Sequence, residues 1–290
     1  MDGLSEQLRS HVHALAEGIG ERNLFLPEAL KAAERYIVEQ WQGQGYAVER
    51  QVEGMEDIDC ANLQISVPGS RFPEEIIVVG AHYDSVFGSP GADDNASGVA
   101  ALLELSRLFA PIRPDRSLRF VAFTNEEPPF FAGRHMGSLL YARAARRRGD
   151  RIHFMISLEM LGYYDRSPDS QGYPPFLKYF FPDRGDFIAF VSNWRSRLLL
   201  RRLVRAFRDH SDFPLESLAA PMVVPGIAAS DHFSFWRQGY PAIMITDTAY
   251  FRNHWYHTAG DLPQHLCYES FAEVVRGVFA ALRVCAAGED

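Results

Sequence analysis

The hydrophobic pattern in the middle of the chain predicts a sheet buried between layers of helices. Short runs dense in apolar and β-branched residues are typical of strands buried on both faces, and they cover residues 76–80, 118–124, 152–158, 187–191 and 242–246. Helical periodicity lies between and after these runs, over residues 97–109, 135–148, 194–210 and 268–287. This alternation predicts an α/β fold, a three-layer α/β/α sandwich around a mostly parallel mixed sheet.

The N-terminal part of the chain adds one helix and two strands to this pattern. Apolar residues recur at helical spacing over residues 26–41, and Pro27 stands where a first helical turn tolerates proline. Residues 46–52 and 62–67 alternate like strands. Because no composition break or repeat divides the chain, we expect a single domain over residues 1–290. Residues 162–185, rich in Pro, Gly and aromatic residues, are predicted to form an ordered loop over the sheet edge.

Charge and composition exclude several classes of partner. The 29 Lys and Arg residues face 37 Asp and Glu residues, and the net charge of −8 argues against nucleic acid or an anionic membrane as the main partner. The basic run at residues 143–148 lies on a predicted helix, so we interpret it as a solvated face. The sequence does not indicate an oligomeric state.

The cysteine content and the absence of long apolar stretches predict a cytoplasmic protein. Cys60, Cys267 and Cys285 are too few and too scattered for a disulfide framework or a cysteine zinc site. The first residues have charges throughout and no continuous apolar core, unlike a secretory signal. No stretch approaches the roughly 20 apolar residues of a membrane span.

Histidine and acidic residues cluster where the predicted strands end. In open α/β sheets the ligand crevice lies beyond the carboxyl ends of the strands, so we expect these residues to converge. Taken singly, each has a commoner explanation as a surface or core polar residue, but together they place hard ligands at one edge of the sheet. The cluster contains His82, Asp84, Asp93, Asp94, Glu126, Glu127, Glu159 and His257.

This ligand chemistry points to a pair of divalent cations. Carboxylates so close together would repel one another, and bound cations would remove that cost. Zinc accepts mixed imidazole and carboxylate ligands, whereas calcium or magnesium would favour oxygen alone. Two histidines and three carboxylates are too many for one catalytic zinc ion. If one carboxylate bridges, each of two ions has three protein ligands and room for a shared water.

Several ordered motifs resemble those of the co-catalytic dizinc aminopeptidases, from about residue 76 to the C-terminus. That family includes bacterial leucyl aminopeptidases and, more distantly, glutamate carboxypeptidase II, transferrin receptor and glutaminyl cyclase. The resemblance implies a zinc-dependent metallopeptidase that uses two Zn²⁺ ions, with Co²⁺ or Mn²⁺ as substitutes, to hydrolyse the N-terminal bond of a peptide with a free N-terminus. The motifs are HYDS, GADDNASGVAALLELS, FTNEE, LEMLG, SDHFSFW and YHTAGD.

The resemblance also implies how the metal ligands are divided. Asp94 would bridge the two ions. His82 and Glu159 would complete one site, and Glu127 and His257 would complete the other. Glu159 stands where many relatives have Asp, and it remains a carboxylate at a strand end.

Catalytic roles follow from the same resemblance. Glu126 would be the general base, Tyr256 would stabilise the tetrahedral intermediate, and Asp84 would orient His82 by accepting its remaining ring N–H. The family often has a cis peptide after the bridging Asp, which here would precede Asn95.

Other positions near the motifs receive weaker assignments. Asp231 and His232 are expected to be structural, and His254 competes with His257 for the ligand position. We expect residues 163–181 and residues 130–131 to set the substrate preference, with an apolar first residue favoured. Residues 128–131 (PPFF) replace a glycine-rich turn of the family, and the chain lacks a large inserted lid domain.

Two alternative functions remain on the same fold. A glutaminyl cyclase of this type keeps one zinc and lacks the first-site histidine, whereas this chain has His82. A catalytically silent binding domain, as in transferrin receptor, would have lost metal ligands, and none is missing here.

Overall fold

An eight-stranded mixed sheet organises the fold. The computed structural model describes residues 3–52 and 60–288. Its strands are β1 Glu49–Gln51, β2 Asn62–Val67, β3 Phe72–His82, β4 Arg116–Phe123, β5 Arg151–Glu159, β6 Ile188–Ser192, β7 Leu215–Ala219 and β8 Ala242–Thr246.

Four mutually parallel strands, β4, β3, β5 and β8, occupy the centre of the sheet. The strand order is β1-β2-β4-β3-β5-β8-β6-β7. Pairs β4/β3, β3/β5, β5/β8 and β6/β7 are parallel, whereas β1/β2, β2/β4 and β8/β6 are antiparallel. The expected mixed, mostly parallel sheet is confirmed. Strands β3, β4, β5 and β8 therefore end at the same edge.

Helices cover both faces of the sheet, as the three-layer prediction requires. Strand β3 shows why, because its side chains alternate: Ile77 and Val79 join the cluster of α1, α2, α3, α5 and α7, whereas Ile76 and Val78 face the cluster of α4 and α6. The helices are α1 Leu4–His13, α2 Pro27–Gly43, α3 Gly98–Phe109, α4 Gly137–Arg148, α5 Arg197–Arg208, α6 His232–Arg237 and α7 Tyr268–Ala286.

The sequence pattern did not predict three elements of the fold, namely α1, α6 and β7. Helices α1 and α6 are short, and their apolar residues are interrupted by polar ones. Strand β7, at the sheet edge, has the sequence LESLA, and only Leu215 in it is fully buried, so no continuous apolar run marks it.

The predicted single domain also includes residues 1–2, 53–59 and 289–290, which lie outside the described residues, and it stays a prediction.

The loop over residues 162–185 is ordered, as expected. An isolated antiparallel bridge between Asp165 and Gly185 closes it, and the N–H of Gln171 donates to the carbonyl of Asp183 at 3.0 Å. The loop therefore follows β5, and its two ends lie side by side.

Within the described ranges, none of the helices combines the length and apolar character needed to cross a bilayer.

Close packing of α7 on α5 predicts a stability effect at Gly277. A Cβ added there would lie 2.3 Å from Cε2 of Phe207. We expect Gly277→Ala to lower the free energy of unfolding by about 1–3 kcal/mol, because a fully packed core resists added volume. Gly43→Ala is the matched control, since its Cβ would meet open space. Urea unfolding of both variants tests this, and equal stabilities would contradict it.

Candidate metal centre

Strand ends and the loops that follow them bring two imidazoles and three carboxylates together. His82 is the last residue of β3, and Glu159 is the last residue of β5. Asp94 lies in the turn before α3, Glu127 follows β4, and His257 lies in the loop after β8. All but His257 are buried. Residues far apart in the chain therefore meet at the edge predicted from the sequence.

Asp94 lies at the middle of this group. Its Oδ1 is 3.3 Å from Nε2 of His82, and its Oδ2 is 3.2 Å from Nε2 of His257. Each imidazole also faces a second carboxylate: Glu159 Oε2 is 3.4 Å from the His82 ring nitrogen, and Glu127 Oε2 is 3.3 Å from that of His257. The Asp94 carboxylate thus lies between two half-sites, each made of one histidine and one glutamate.

Unpartnered polar atoms show that these residues fit divalent cations. Among the described residues, the Nε2 atoms of both His82 and His257 and Oε1 of Glu127 are buried without a hydrogen-bond partner. His82, Asp94 and Glu127 offer ligand atoms that all lie within 4.8 Å of one another. A donor set of imidazole nitrogen and carboxylate oxygen without thiolate suits zinc and related ions.

The electrostatics of the cluster lead to the same conclusion. Burial, with the neighbouring carboxylates, raises the pKa of Glu127 to about 8 and the pKa values of Glu126 and Glu159 above their usual range. Burial would also raise the pKa of Asp94, but the two imidazoles lower it below its usual value. Without other positive charge, the outer carboxyls would hold protons, and bound cations would displace those protons.

Asp84 contacts both His82 and the segment that follows β4. The ring Nδ1 of His82 lies 3.1 Å from the backbone carbonyl oxygen of Asp84 and 3.6 Å from its carboxylate. The carboxylate instead accepts the backbone N–H groups of Glu126 and Glu127, each at 3.1 Å. The backbone carbonyl of Asp84 is therefore the nearer acceptor for the His82 ring N–H, and the Asp84 side chain positions the two glutamates. Orientation of His82 by the Asp84 carboxylate stays a prediction.

Asp261 plays the corresponding role for the other half of the group. Its buried carboxylate accepts the backbone N–H groups of Asp93 and Asp94 at 2.9 and 3.1 Å. The sequence analysis did not single out Asp261, although it ends the YHTAGD motif. That position in the motif was the available signal.

Asn95 ties the Asp94 turn to the end of β5. Its Oδ1 accepts the N–H of Met160 at 3.0 Å, and its Nδ2 donates to the carbonyl of Leu158 at 2.9 Å. These two residues flank Glu159. The peptide bond between Asp94 and Asn95 is cis, as the resemblance implied.

A buried arginine that the pattern analysis missed supports the loop after β3. The guanidinium of Arg22 donates to the carbonyls of Tyr83, Pro90 and Gly91 at 2.6–2.8 Å. Burial lowers the pKa of Arg22 to about 10, although the charge of Asp261 opposes this shift. No sequence signal marks an isolated arginine as an internal donor.

Tyr256 stands beside the group, as predicted. Its ring stacks on that of His257, with centroids 3.7 Å apart. Burial and the nearby carboxylates raise the pKa of Tyr256, so its hydroxyl remains a hydrogen-bond donor. His254, the competing histidine, is exposed and contacts Tyr163 and Trp255 instead.

Asp231 and His232 lie buried at the start of α6. The Nε2 of His232 lies 2.7 Å from the carbonyl oxygen of Ile227, and its ring packs edge-on against Trp236. These contacts are structural, as expected. Asp231 has neither carboxylate oxygen hydrogen-bonded within the described chain, and burial raises its pKa to about 7.

A cavity of about 820 Å³, including its open mouth, adjoins the group at Glu159 and Tyr256. Aromatic residues of the 162–185 loop, among them Tyr173 and Phe181, line it. Residues 130–131 do not contribute to its lining. The predicted loop thus lines this cavity, and the part that either segment plays in substrate preference stays a prediction.

Comparison with known proteins identifies the family. The sequence model of peptidase family M28 matches residues 62–282. The chain belongs to peptidase family M28. This M28 chain is 39% identical over 286 residues to the "uncharacterized protein YfbL" of Escherichia coli K12, covering 96% of this chain and 87% of YfbL. It is 27% identical to the "probable aminopeptidase YDR415C" of Saccharomyces cerevisiae, covering 76% of this chain but only 57% of that relative.

Solved structures share the M28 fold. BSAP, a zinc aminopeptidase from Bacillus subtilis, superposes with a TM-score of 0.76 at 16% identity, over 99% of this chain and 96% of that one. A glutaminyl cyclase from Bacteroides thetaiotaomicron superposes with a TM-score of 0.71 at 17% identity, over 99% and 98%. At such identities the likeness concerns the fold alone.

The buried imidazole of His232 should make the free energy of unfolding depend on pH. Burial lowers the pKa of His232 from 6.5 to about 4. The unfolded chain therefore binds this proton first as the pH falls, and the free energy of unfolding should decrease between about pH 6.5 and 4, by roughly 3 kcal/mol.

His232→Asn keeps a side-chain donor and does not titrate, so its unfolding free energy should change less across that range. Urea unfolding of both proteins in the presence of a chelator measures the two pH profiles without a contribution from metal. Parallel profiles would show that His232 does not carry the effect.

Proposed function

We propose that this chain is a zinc-dependent aminopeptidase that hydrolyses the N-terminal peptide bond of its substrate with two zinc ions. The observation that carries the proposal is the position of one carboxylate, Asp94, between the Nε2 atoms of His82 and His257. Membership of a peptidase family and the names of the yeast and Bacillus proteins support it.

The ligands would divide around the shared carboxylate. His82 and Glu159 would hold one ion, and His257 and Glu127 the other, with Asp94 contributing one oxygen to each. Zinc, or Co²⁺ or Mn²⁺ in its place, supplies Lewis acidity that lowers the pKa of a nearby water and polarises the scissile carbonyl.

Glu126 is placed to move the proton. Its Oε2 lies 3.9 Å from Nε2 of His82, and Asp84 fixes its backbone. Burial raises the pKa of Glu126 well above its usual value. Glu126 would accept a proton from the attacking water as the oxygen bonds to the carbonyl carbon. It would then deliver that proton to the amine as the C–N bond breaks.

Two further features complete the reaction. The hydroxyl of Tyr256 would donate to the oxyanion that forms on the carbonyl oxygen. The free amino group of the peptide would lie against the carboxylates of the cluster, which favours substrates with an unblocked N-terminus. The substrate would therefore be a peptide. Cys60, Cys267 and Cys285 form no disulfide within the described residues, which supports a reducing, cytoplasmic setting.

Loss of the base should abolish turnover and preserve the metal. We expect Glu126→Gln to lower kcat about 10²- to 10⁴-fold on the best aminoacyl-p-nitroanilide of a panel, since a neutral amide cannot accept the proton. Glu39→Gln, an exposed change on α2, is the control. Turnover by Glu126→Gln close to that of the control would remove Glu126 from this role. Loss of ammonia from a glutaminyl peptide, without hydrolysis, would indicate the cyclase instead.

Loss of the shared ligand should release both ions. We expect about two zinc equivalents per wild-type chain and almost none in Asp94→Ala, because each half-site loses a ligand oxygen and keeps its unpaired partners. His254→Ala, which alters an exposed histidine outside the group, should match wild type. Elemental analysis after gel filtration measures this, and two retained equivalents in Asp94→Ala would show that the bridge is misassigned.

A further inference from the structure

The sheet register places a carboxylate from outside the metal centre, that of Glu216, in the same lateral row as Glu159. Glu159 of β5 pairs laterally with Thr246 of β8, Thr246 pairs with Ala189 of β6, and Ala189 pairs with Glu216 of β7. Lateral partners in a sheet point to the same face. Glu159 and Glu216 therefore stand at the two ends of one row, three strand spacings or about 14 Å apart between Cα atoms.

The row forms part of the floor of the cavity beside the metal centre. All four of its residues line that cavity, and the two middle ones have short side chains. The next row inward is apolar, with Met244, Val191 and Leu218. A side chain that starts near Glu159 would therefore cross an apolar surface before it meets Glu216.

Glu216 faces this cavity without a partner from the protein. Alternation along β7 directs Leu215 towards the helices of the main core and Leu218 towards the cavity side, with Glu216 on the side of Leu218. Across the described residues, its carboxylate accepts no side-chain or backbone hydrogen bond. Arg208, the charge that acts on it, donates to the carbonyl of Leu215 instead.

Neighbouring polar groups are engaged elsewhere. The hydroxyl of Tyr173 donates to the carbonyl of Pro182. The guanidinium of Arg252 stacks on Phe187, and its Nε and Nη1 donate to Gln171 and to backbone carbonyls, whereas its buried Nη2 has no hydrogen-bond partner among the described residues. Partial burial raises the pKa of the Glu216 carboxyl. A carboxylate beside apolar walls loses hydration, and a cationic ligand would compensate for that loss.

We propose that this cavity receives the side chain of the substrate's N-terminal residue and that Glu216 selects arginine or lysine there. The inference rests on the proposed aminopeptidase function and replaces the expected apolar preference. Long basic side chains bury their aliphatic stems on apolar surface and keep the charged head at a polar partner. Aromatic walls also favour a cation. A leucyl side chain would leave the Glu216 carboxylate unpaired.

Matched substrates and variants test the selection. Arginyl- and citrullyl-p-nitroanilide have similar shapes and differ in charge, and leucyl-p-nitroanilide lacks the polar head. We expect wild type to favour arginyl over citrullyl, and Glu216→Gln to lower kcat/KM for arginyl substrate about 10- to 100-fold. Turnover of the other two substrates should not fall, because neither pairs with the Glu216 carboxylate. Asp212→Asn, which removes an exposed acidic charge just before β7, is the control.

The outcomes separate this inference from the proposed function. Equal rates on arginyl and citrullyl substrates, or an equal loss on all three in Glu216→Gln, would overturn the selection and leave the aminopeptidase intact. If the zinc-loaded protein hydrolyses none of them, the proposed function fails. Calorimetry with free arginine and citrulline then decides the subsite: binding of arginine alone, lost in Glu216→Gln, supports it, and equal or absent binding overturns it.

Discussion

The fold depends at this edge on the balance of charge around one buried carboxylate. Asp94 touches both imidazoles, and each imidazole touches a further carboxylate. Such a concentration of acidic groups beyond a buried sheet is unfavourable unless positive charge neutralises it. The same arrangement that makes the edge costly for the apo chain would favour a bound cation. Folding of this edge and the proposed metal binding are therefore linked.

Backbone amides hold the ligands in place. The Asp84 carboxylate accepts the backbone N–H groups of Glu126 and Glu127, and the Asp261 carboxylate accepts those of Asp93 and Asp94. Asn95 joins the turn that contains Asp94 to the end of β5. Hydrogen bonds to charged acceptors contribute more than neutral ones. These contacts restrict the loops on which the ligands lie. Acidic residues thus serve two purposes here, since some face the metal position and others fix the chain behind it.

Chemistry and selectivity occupy different parts of the same edge. The proposed ligand carboxylates and the proposed base lie at or beyond the ends of β4, β3 and β5, whereas the cavity extends across β8, β6 and β7. The two regions meet at Glu159 and Tyr256. In the proposed arrangement, Glu216 would change which side chain is accepted without contact with the reacting atoms. This separation is consistent with one fold serving different substrates.

The sequence by itself determined the α/β architecture, the main strands and helices, and the group of residues that meets at the sheet edge. Buried parallel strands leave a continuous apolar signal, and their polar ends are readable because all of them share one edge. Only the tertiary structure decided that the Asp84 side chain faces two backbone amides, that Asp261 and Arg22 support the centre, and that Glu216 shares a row with Glu159. Those relations depend on strand register and loop path, which bring together residues without any fixed spacing along the chain.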